Sequence, residues 1–494
     1  MMVAPSLVRG STGPLSYDLV IIGAGPAGLA AAEHASRLGA RVALIEKGMI
    51  GGASLASGSI PSKALIRSAT LFSHLQETCR LAAIGDSDSR AKMERVTASI
   101  DQIRARIARN HSIDMLRRSG IDVYRGAARF DSPTSIVVGV ERLPFGMALV
   151  ATGAHPTPPA VPGLEHGRYL TSDTIFGLEQ LPEHLAVVGG GPLGCELAQA
   201  FCRLGSRVTI IQSEAKFLPR EERDAANILS ESMARDGISI FLNTSVVGAE
   251  ARGAATELKT VNNEVAGTVC ADRVLISVGR SPTVDGLGLD VAGIACDSER
   301  GIVVDEHLRT SNTRVYAAGD VCMADKFTHV AERTAKMAVR NLLRGGQERH
   351  TDLIIPWCTF CDPEIAHVGM QVWEARARSI PVKTYAIPMQ DVDRAITDRQ
   401  DSGFVKLHVR EGSDQIIGAT IVASRASEMI NEVCVAMSAG VGLRALANVL
   451  HSYPAQSQAL WLAAVAFEAE HDGQLSVAAP AVAQSRAEGP TRTS

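Results

Sequence analysis

Two stretches of the chain share one pattern of apolar and polar positions. Each begins with a short apolar strand, continues through a glycine-rich turn into a helix, and ends in a second apolar strand. The strands are predicted at 17–22 and 41–46 in the first stretch, and at 185–188 and 207–212 in the second. Nearly continuous apolar strands that alternate with helices are typical of parallel sheets covered by helices. The sequence therefore predicts two βαβ units.

The pattern changes between and after these units. Apolar residues recur at helical spacing from about Ala91 to Ser119 and predict one long amphipathic helix, whose arginine-rich face we expect to be solvated. The positions that carry this pattern are Met93, Val96, Ile100, Ile103, Ile107 and Leu116. After about Thr351, strands are predicted at 403–409 and 416–422, and helices follow them.

These patterns predict an α/β protein with two Rossmann-like dinucleotide-binding domains and a C-terminal α+β domain. A turn-rich segment at 156–162 marks the boundary before the second unit, and the chain is expected to return to the first domain near Gly301. The predicted divisions are a flexible leader at 1–16, a first dinucleotide-binding domain at 17–155 and 290–350, a second at 156–289, a C-terminal domain at 351–470 and a disordered tail at 471–494.

Composition narrows the possible partners. A chain of 494 residues suggests about three domains. The net charge of -4 argues against nucleic acid and anionic membranes as partners. Membrane insertion is not expected, because no apolar run reaches the roughly 18 residues that a spanning helix needs. The nine cysteines are scattered, which favours a reducing cytoplasm over a disulfide framework. No metal site is predicted.

Each glycine-rich turn has the form Gly-x-Gly-x-x-Gly between a strand and a helix, which is typical of dinucleotide binding. Glycine allows the tight turn and lets backbone N–H groups approach a pyrophosphate at the helix N-terminus. The expected contacts are Gly23, Gly25, Pro26, Ala27 and Gly28 in the first turn, and Gly189, Gly191, Pro192, Leu193 and Gly194 in the second.

The residue that ends the second strand of each unit is expected to contact the ribose of a bound dinucleotide. Glu46 ends this strand in the first unit, where an acid hydrogen-bonds a ribose. In the second unit Gln212 and Ser213 stand at the equivalent positions, and Lys216 and Arg220 are cations that could reach a 2′-phosphate. The sequence therefore leaves the choice between NADH and NADPH open.

Further motifs extend the pattern to most of the chain. They are GGASLASGSIPSK at 51–63, SKALIRSA at 62–69, GGGPLGCELAQAF at 189–201, FTHVAE at 327–332 and DPEIA at 362–366. With these motifs, residues 17 to about 465 resemble the glutathione reductase and lipoamide dehydrogenase family of pyridine nucleotide-disulfide oxidoreductases. Within that family, the mercuric-reductase-like branch is the most similar.

The resemblance implies cofactors and an assembly. The first unit is expected to bind FAD, the second NAD(P)H, and the C-terminal interface domain to form a homodimer in which each partner completes the other's active site. Asp320 matches the acid near the ribityl and phosphate region of the flavin. The other expected cofactor-binding residues are Glu46, Lys47, Gly52, Ala53, Ser54, Ser59, Lys63, Ala127, Ala151, Thr152, Gly153, Glu196, Gln212, Ser213, Gly279, Arg280, Gly319 and His329.

Lys63 and Glu196 match an ion pair beside the reactive face of the flavin in this family. A cation at that position stabilises the negative charge of reduced flavin. The carboxylate keeps the lysine charged and oriented, because an unpaired buried charge is costly. We therefore expect both residues to be catalytic; a purely structural salt bridge is the alternative.

The cysteine positions of the family's redox motif, G-G-x-C-x-x-x-x-C-x-P-S-K, are occupied by Ser54 and Ser59. A serine hydroxyl ionises far less readily than a thiol, and it can neither form a disulfide nor accept two electrons from flavin. We expect the two serines to be small polar residues that hydrogen-bond flavin or substrate. That both were introduced at the bench is a further possibility.

The family's C-terminal H-P-T-x-x-E pattern is altered as well. Tyr453 falls at the histidine position and Gln458 at the glutamate position, while His451 is shifted by two residues. Tyr453 and His451 are candidate catalytic residues. Mercury chemistry needs thiols, yet the sequence has no cysteine after Cys434. These changes and the two serines together predict a loss of thiol chemistry.

Cys358 and Cys361 have the spacing of a redox pair or of half a zinc site. Residues three apart on a strand point to opposite faces, so we favour a buried structural role for both.

Three functions follow from this sequence. The first is an FAD-dependent oxidoreductase that takes electrons from NAD(P)H and passes them to a quinone, a nicotinamide, dioxygen or a small organic molecule. The second is a flavin-dependent dehydrogenase or reductase of a small metabolite. The third is a non-catalytic subunit or sensor that binds FAD and a dinucleotide.

Overall fold

The structure is a computed structural model that describes residues 17–82, 90–164 and 169–471. Within these residues the chain forms two compact units. The first comprises residues 17–367 and 424–427, and the second comprises 368–423 and 428–471. The predicted leader lies outside the described residues, as does the predicted tail after His471.

The first unit opens with the first predicted βαβ unit. Its elements are β1 (Tyr17–Ile22), α1 (Pro26–Arg37), β2 (Val42–Glu46), α2 (Gly52–Ala56), α3 (Ser59–Ala82), α4 (Met93–Ala108), α5 (Ile113–Arg118), β3 (Ile121–Arg125), β4 (Ala128–Ser132), β5 (Ser135–Val138), β6 (Glu141–Val150) and β7 (Ala154–Pro156). Strands β3, β2, β1 and β6 lie side by side in parallel. Strands β4 and β5 extend this sheet as an antiparallel meander with β6.

The second βαβ unit follows in the same compact unit. Its elements are β8 (His184–Val188), α6 (Pro192–Arg203), β9 (Arg207–Ile211), α7 (Arg223–Arg235), β10 (Ser239–Phe241), β11 (Thr244–Arg252), β12 (Ala255–Asn262), β13 (Val265–Ala271), β14 (Arg273–Ile276) and β15 (Arg280–Pro282). A parallel sheet has the order β10, β9, β8, β14, and β11 to β13 form an antiparallel sheet.

The chain then returns to the first sheet. The elements of this part are β16 (Cys296–Asp297), β17 (Gly301–Ile302), β18 (Val315–Ala317), α8 (Thr328–Arg344), β19 (Pro356–Thr359) and β20 (Glu364–Gly369). Strand β18 pairs in parallel with β6, and α8 packs with α1 over the sheet through buried residues such as Ala31 and Ala335. The domain boundaries drawn from the sequence remain predictions.

The second unit contains antiparallel strands and helices. Its elements are α9 (Val372–Ala377), β21 (Val382–Pro388), α10 (Asp393–Thr397), β22 (Phe404–Arg410), β23 (Ile416–Ala423), α11 (Ala426–Ala439), α12 (Leu443–Ala447) and α13 (Gln458–His471). Strands β21, β22 and β23 are neighbours, and the rings of Tyr385 and Phe467 join α13 to β21. The strands predicted at 403–409 and 416–422 are confirmed. No helix of the described residues is both long and apolar enough to span a membrane.

The prediction of one continuous helix from Ala91 to Ser119 is wrong, because the structure has two helices there. Helix α4 ends at Ala108, a short 3₁₀ turn follows, and α5 begins at Ile113. Ser112 adopts an extended backbone conformation, and its side chain accepts a hydrogen bond from the N–H of Met115. A serine in this role starts a new helix. The apolar periodicity continues across the break and therefore does not reveal it.

The first glycine-rich turn depends on close backbone approach. A Cβ atom on Gly28 would lie 1.7 Å from the carbonyl oxygen of Gly23, well inside any allowed contact. A Cβ atom on the exposed Gly177, by contrast, would meet no other atom within 4 Å. A side chain is therefore excluded at the first position and has room at the second.

We expect Gly28→Ala to lower the free energy of unfolding by about 3 kcal/mol, at the upper end of the cost of overpacking. The matched change Gly177→Ala should alter it by less than about 0.5 kcal/mol. Thermal and urea denaturation of both variants would measure the difference. Equal stability of the two variants would contradict the close packing described for the first turn.

Candidate active site

The side chains of Lys63 and Glu196 form an ion pair between helices α3 and α6. Lys63 Nζ donates to Glu196 Oε2 at 2.7 Å, and the backbone N–H of Phe360 donates to Glu196 Oε1 at 3.0 Å. The Glu196 side chain is 4% exposed and that of Lys63 is 35% exposed. The ring centroid of Phe360 also lies 4.1 Å from Lys63 Nζ. Both carboxylate oxygens of Glu196 are thus satisfied, which a buried charge requires.

The hydroxyl groups of Ser54, Ser59 and Thr328 form a second group, here called the hydroxyl cluster. Thr328 Oγ1 lies 3.1 Å from Ser54 Oγ and 3.3 Å from Ser59 Oγ. Ser59 begins α3 and precedes Lys63 by four residues, so both lie on one face of that helix. Sequence reasoning missed Thr328, whose contact with the serines spans more than 260 positions of the chain.

The first glycine-rich turn is closed by neighbouring backbone. A Cβ on Gly23 would lie 2.4 Å from the carbonyl oxygen of Ala151, and one on Gly52 would lie 2.7 Å from Gly25 Cα. Glu46 accepts hydrogen bonds from the N–H groups of Ala24 and Gly48, each at 2.6 Å. The carboxylate fixes the turn and retains lone pairs for a further donor. This narrow cradle without side chains fits the phosphates of FAD.

Other residues predicted to bind cofactor belong to the same compact unit. Gly319 and Asp320 follow β18, and burial raises the pKa of Asp320 above its usual value against the opposing charges of Arg280 and Lys326. Thr152 Oγ1 donates to the carbonyl oxygen of Thr283 at 2.6 Å. Four further predicted residues are exposed at the surface, namely Lys47, Ala53, Ala127 and His329.

A cavity of about 630 Å³ lies at the second glycine-rich turn. A Cβ on Gly191 would meet no atom within 4 Å, so the backbone there is open to a ligand. Gln212 Oε1 accepts the N–H of Gly190 at 2.8 Å. The volume of the cavity and its open glycine backbone fit the phosphates of a dinucleotide. The predicted residues that line it are Gly189, Gly191, Pro192, Leu193, Gln212, Ser213, Gly279 and Arg280.

The C-terminal candidates Tyr453 and His451 belong to the second compact unit. Tyr453 is exposed, and its hydroxyl donates to Asp393 Oδ2 at 2.7 Å. His451 Nε2 lies 2.7 Å from Glu432 Oε1. Gln458 begins α13. The catalytic roles of Tyr453 and His451 remain predictions, and no sequence motif indicates their partners Asp393 and Glu432.

Cys358 and Cys361 do not form a disulfide, and all nine cysteines are free. Burial raises the pKa of both thiols well above the usual value, and nearby carboxylates such as Glu196 raise it further. A protonated thiol is a poor nucleophile. Cys361 is buried but lies beyond the end of β19, so the strand argument does not apply to it, and Cys358 is only half-buried. The structural role of the two cysteines stays a prediction.

Glu221 is a buried carboxyl group that sequence reasoning missed. Its Oε1 accepts a hydrogen bond from Trp357 Nε1 at 3.0 Å, whereas no described residue bonds to Oε2. Burial raises the pKa of Glu221 to about 7, although Trp357, Arg220 and Arg223 act in the opposite direction. The charge of Glu221 also acts on Cys358, the neighbour of Trp357 in β19.

Two dinucleotide turns, with a lysine–glutamate pair between α3 and α6, define a flavin-dependent pyridine nucleotide oxidoreductase. Comparison with known proteins gives the family. Residues 17–340 match the pyridine nucleotide-disulphide oxidoreductase family, and residues 355–464 match its dimerisation domain. The chain therefore belongs to the pyridine nucleotide-disulphide oxidoreductase family, whose members bind FAD and use NAD(P)H. This confirms the predicted fold class and cofactors.

Several proteins are similar to this chain over nearly its whole length. Mercuric reductase of Staphylococcus aureus is 32% identical over 453 residues, which are 92% of this chain and 82% of the relative. Dihydrolipoyl dehydrogenase of Chlamydia muridarum is 31% identical over 89% of this chain and 94% of its own. The structure of the HOCl-induced flavoprotein disulfide reductase RclA from Escherichia coli superposes with a TM-score of 0.81, at 28% identity, over 90% of this chain and 98% of that one.

The raised pKa of Glu221 makes stability depend on pH. The folded state holds a proton on this group that the unfolded state releases above pH 4.5, so stability falls as the pH rises from 4.5 to about 7. Relative to Glu221→Gln, we expect the wild type to lose about 3 kcal/mol of unfolding free energy over that range. Denaturant unfolding at several pH values would measure it. The control is Glu231→Gln, at an exposed position of α7, and the same pH dependence in both variants would contradict the assignment.

Proposed function

We propose that this protein is an FAD-dependent NAD(P)H oxidoreductase that passes electrons from the flavin to an acceptor other than a disulfide. The acceptor is a quinone, a second nicotinamide, dioxygen or a small organic molecule. The single observation that carries the proposal is the hydroxyl cluster beside an intact Lys63–Glu196 ion pair.

The hydroxyl cluster supports an acceptor that reacts with the flavin directly. Ser54 and Ser59 each lie within hydrogen-bonding distance of Thr328. Three hydroxyl groups can donate hydrogen bonds to a carbonyl or another polar group of a substrate, but they cannot exchange electrons. Ser54 and Ser59 thus stand where the family's redox motif, G-G-x-C-x-x-x-x-C-x-P-S-K, has its two cysteines.

The ion pair supports retained flavin chemistry. The chemistry that bound FAD would supply is two-electron transfer between the nicotinamide and the acceptor. Lys63 holds a positive charge beside the site, and Glu196 fixes that charge through a bond of 2.7 Å. The Lys63 side chain is 35% exposed, so a bound cofactor could contact it.

We also propose the assembly and roles that the family implies. The first sheet with α1, α8 and the first turn would bind FAD, and the cavity at the second turn would bind NAD(P)H. The matched dimerisation domain supports a homodimer in which Tyr453 and His451 complete the partner's site. The nine free cysteines are in keeping with the predicted cytoplasmic location.

An anaerobic titration of the purified protein with NADH, and separately with NADPH, tests the proposal. We expect full bleaching of the flavin after one two-electron equivalent, without the long-wavelength band of a thiolate–flavin complex. Dithionite provides the control for total electron capacity. Uptake of a second electron pair would contradict the proposal, and failure of both nucleotides to reduce the flavin would favour a non-catalytic protein. After reduction, the rate of flavin reoxidation on addition of quinones or of air would show which acceptors the enzyme uses.

The role of the ion pair is tested by Lys63→Met. We expect flavin reduction by NAD(P)H to slow about 100-fold, because one preorganised charge at the reacting centre is lost. Stopped-flow absorbance would measure the rate. Lys259→Met is the matched control, since it breaks a lysine–glutamate pair whose side chains are both about half exposed. Equal reduction rates in the two variants would show that Lys63 has no part in the reaction.

A further inference from the structure

We propose that the cavity at the second turn selects NADH over NADPH, and that Glu214 is the residue that discriminates. This inference rests on the proposed function, since it names the cofactor form that the same site takes. The carboxylate of Glu214 would accept hydrogen bonds from the ribose hydroxyl groups and repel a 2′-phosphate.

The side chain of Gln212 is occupied within the protein. Gln212 directly follows β9, yet its side chain is buried and bonded to the N–H of Gly190 at 2.8 Å. It therefore supports the turn from within. Ser213 and Glu214 come next, and both are exposed and line the cavity. They are the residues that a ribose at the end of β9 would meet.

The cations suggested by the sequence do not line this cavity. Lys216 is absent from its described lining, and so is Arg220. The guanidinium of Arg220 lies 3.3 Å from Asp325 Oδ1 and over the ring of Trp357 at 5.3 Å. The phosphate-binding role considered for Lys216 and Arg220 thus finds no support in this geometry.

Arg280 is the cation in the described lining of the cavity, and its guanidinium is occupied by hydrogen bonds within the protein. Its guanidinium donates to the carbonyl oxygen of Ala154 and to Ser172 Oγ. Its charge also opposes the rise that burial causes in the pKa of Asp320, which follows the last strand of the first sheet. The guanidinium is therefore already engaged by these two protein oxygens, at a part of the lining formed by β15 rather than at the end of β9. Next to β9 the cavity carries the negative charge of Glu214, which disfavours a phosphate of charge about −2.

Binding of nucleotide fragments to the oxidised holoenzyme tests this without turnover. We expect isothermal titration calorimetry at pH 7.5 to give a Kd for ADP-ribose at least about 10-fold lower than for 2′-phospho-ADP-ribose, since like charges at one site oppose binding. Glu214→Gln should reduce that ratio several-fold. Glu214→Gln combined with Ser213→Arg should reverse it, because arginine suits a phosphate. Glu231→Gln, at an exposed position of α7 outside the cavity lining, is the matched control and should leave the ratio unchanged.

The outcomes separate this inference from the proposed function. Binding of 2′-phospho-ADP-ribose as tightly as ADP-ribose, or an unchanged ratio in Glu214→Gln, would overturn the role of Glu214. Binding of neither fragment would overturn it as well. The proposed function is judged separately, by whether either nucleotide reduces the flavin. Reduction by NADPH with a preference for the phosphorylated fragment would leave the proposed function standing and remove this inference.

Discussion

The arrangement of the site depends on the ion pair between Lys63 and Glu196. Lys63 lies in the second turn of α3, four residues after Ser59. Glu196 lies in the second turn of α6, the helix that follows the second glycine-rich turn. One bond of 2.7 Å therefore joins the two regions expected to hold the two cofactors. Because Glu196 is buried, removal of either partner would leave one of its carboxylate oxygens without a hydrogen-bond donor, which is costly. The pair thus serves both the packing of the two helices and the charge of the site.

The polar groups around this pair divide into those that titrate and those that do not. The hydroxyl cluster holds its hydrogen-bonding capacity without changing charge near neutral pH. Glu221, which accepts a hydrogen bond from Trp357 beside Cys358, has a pKa of about 7 and does change charge there. The thiols of Cys358 and Cys361 stay protonated, because loss of solvation raises their pKa values. The region therefore combines a fixed ion pair, neutral hydrogen-bonding groups and a carboxyl group that titrates near neutrality.

The features that could be predicted from the sequence are local in the chain. The glycine-rich turns and the strands beside them follow from short-range rules of backbone conformation and apolar alternation. The break at Ser112 was missed because one capping residue decides it within an unbroken apolar pattern. Glu221 and Phe360 were missed because their bonds join residues 136 and 164 positions apart. The role proposed for Glu214 needed the orientation of the Gln212 side chain, which no pattern gives.

The hydrogen bond from Phe360 to Glu196 comes from the backbone rather than from a side chain. Every amino acid except proline carries this N–H group. The side chain at position 360 can therefore vary over evolution without removing a donor from Glu196, although the ring contact with Lys63 would change. The buried carboxylate of Glu196 is therefore supported by the backbone conformation at position 360. Most single-residue substitutions at that position would keep this hydrogen bond.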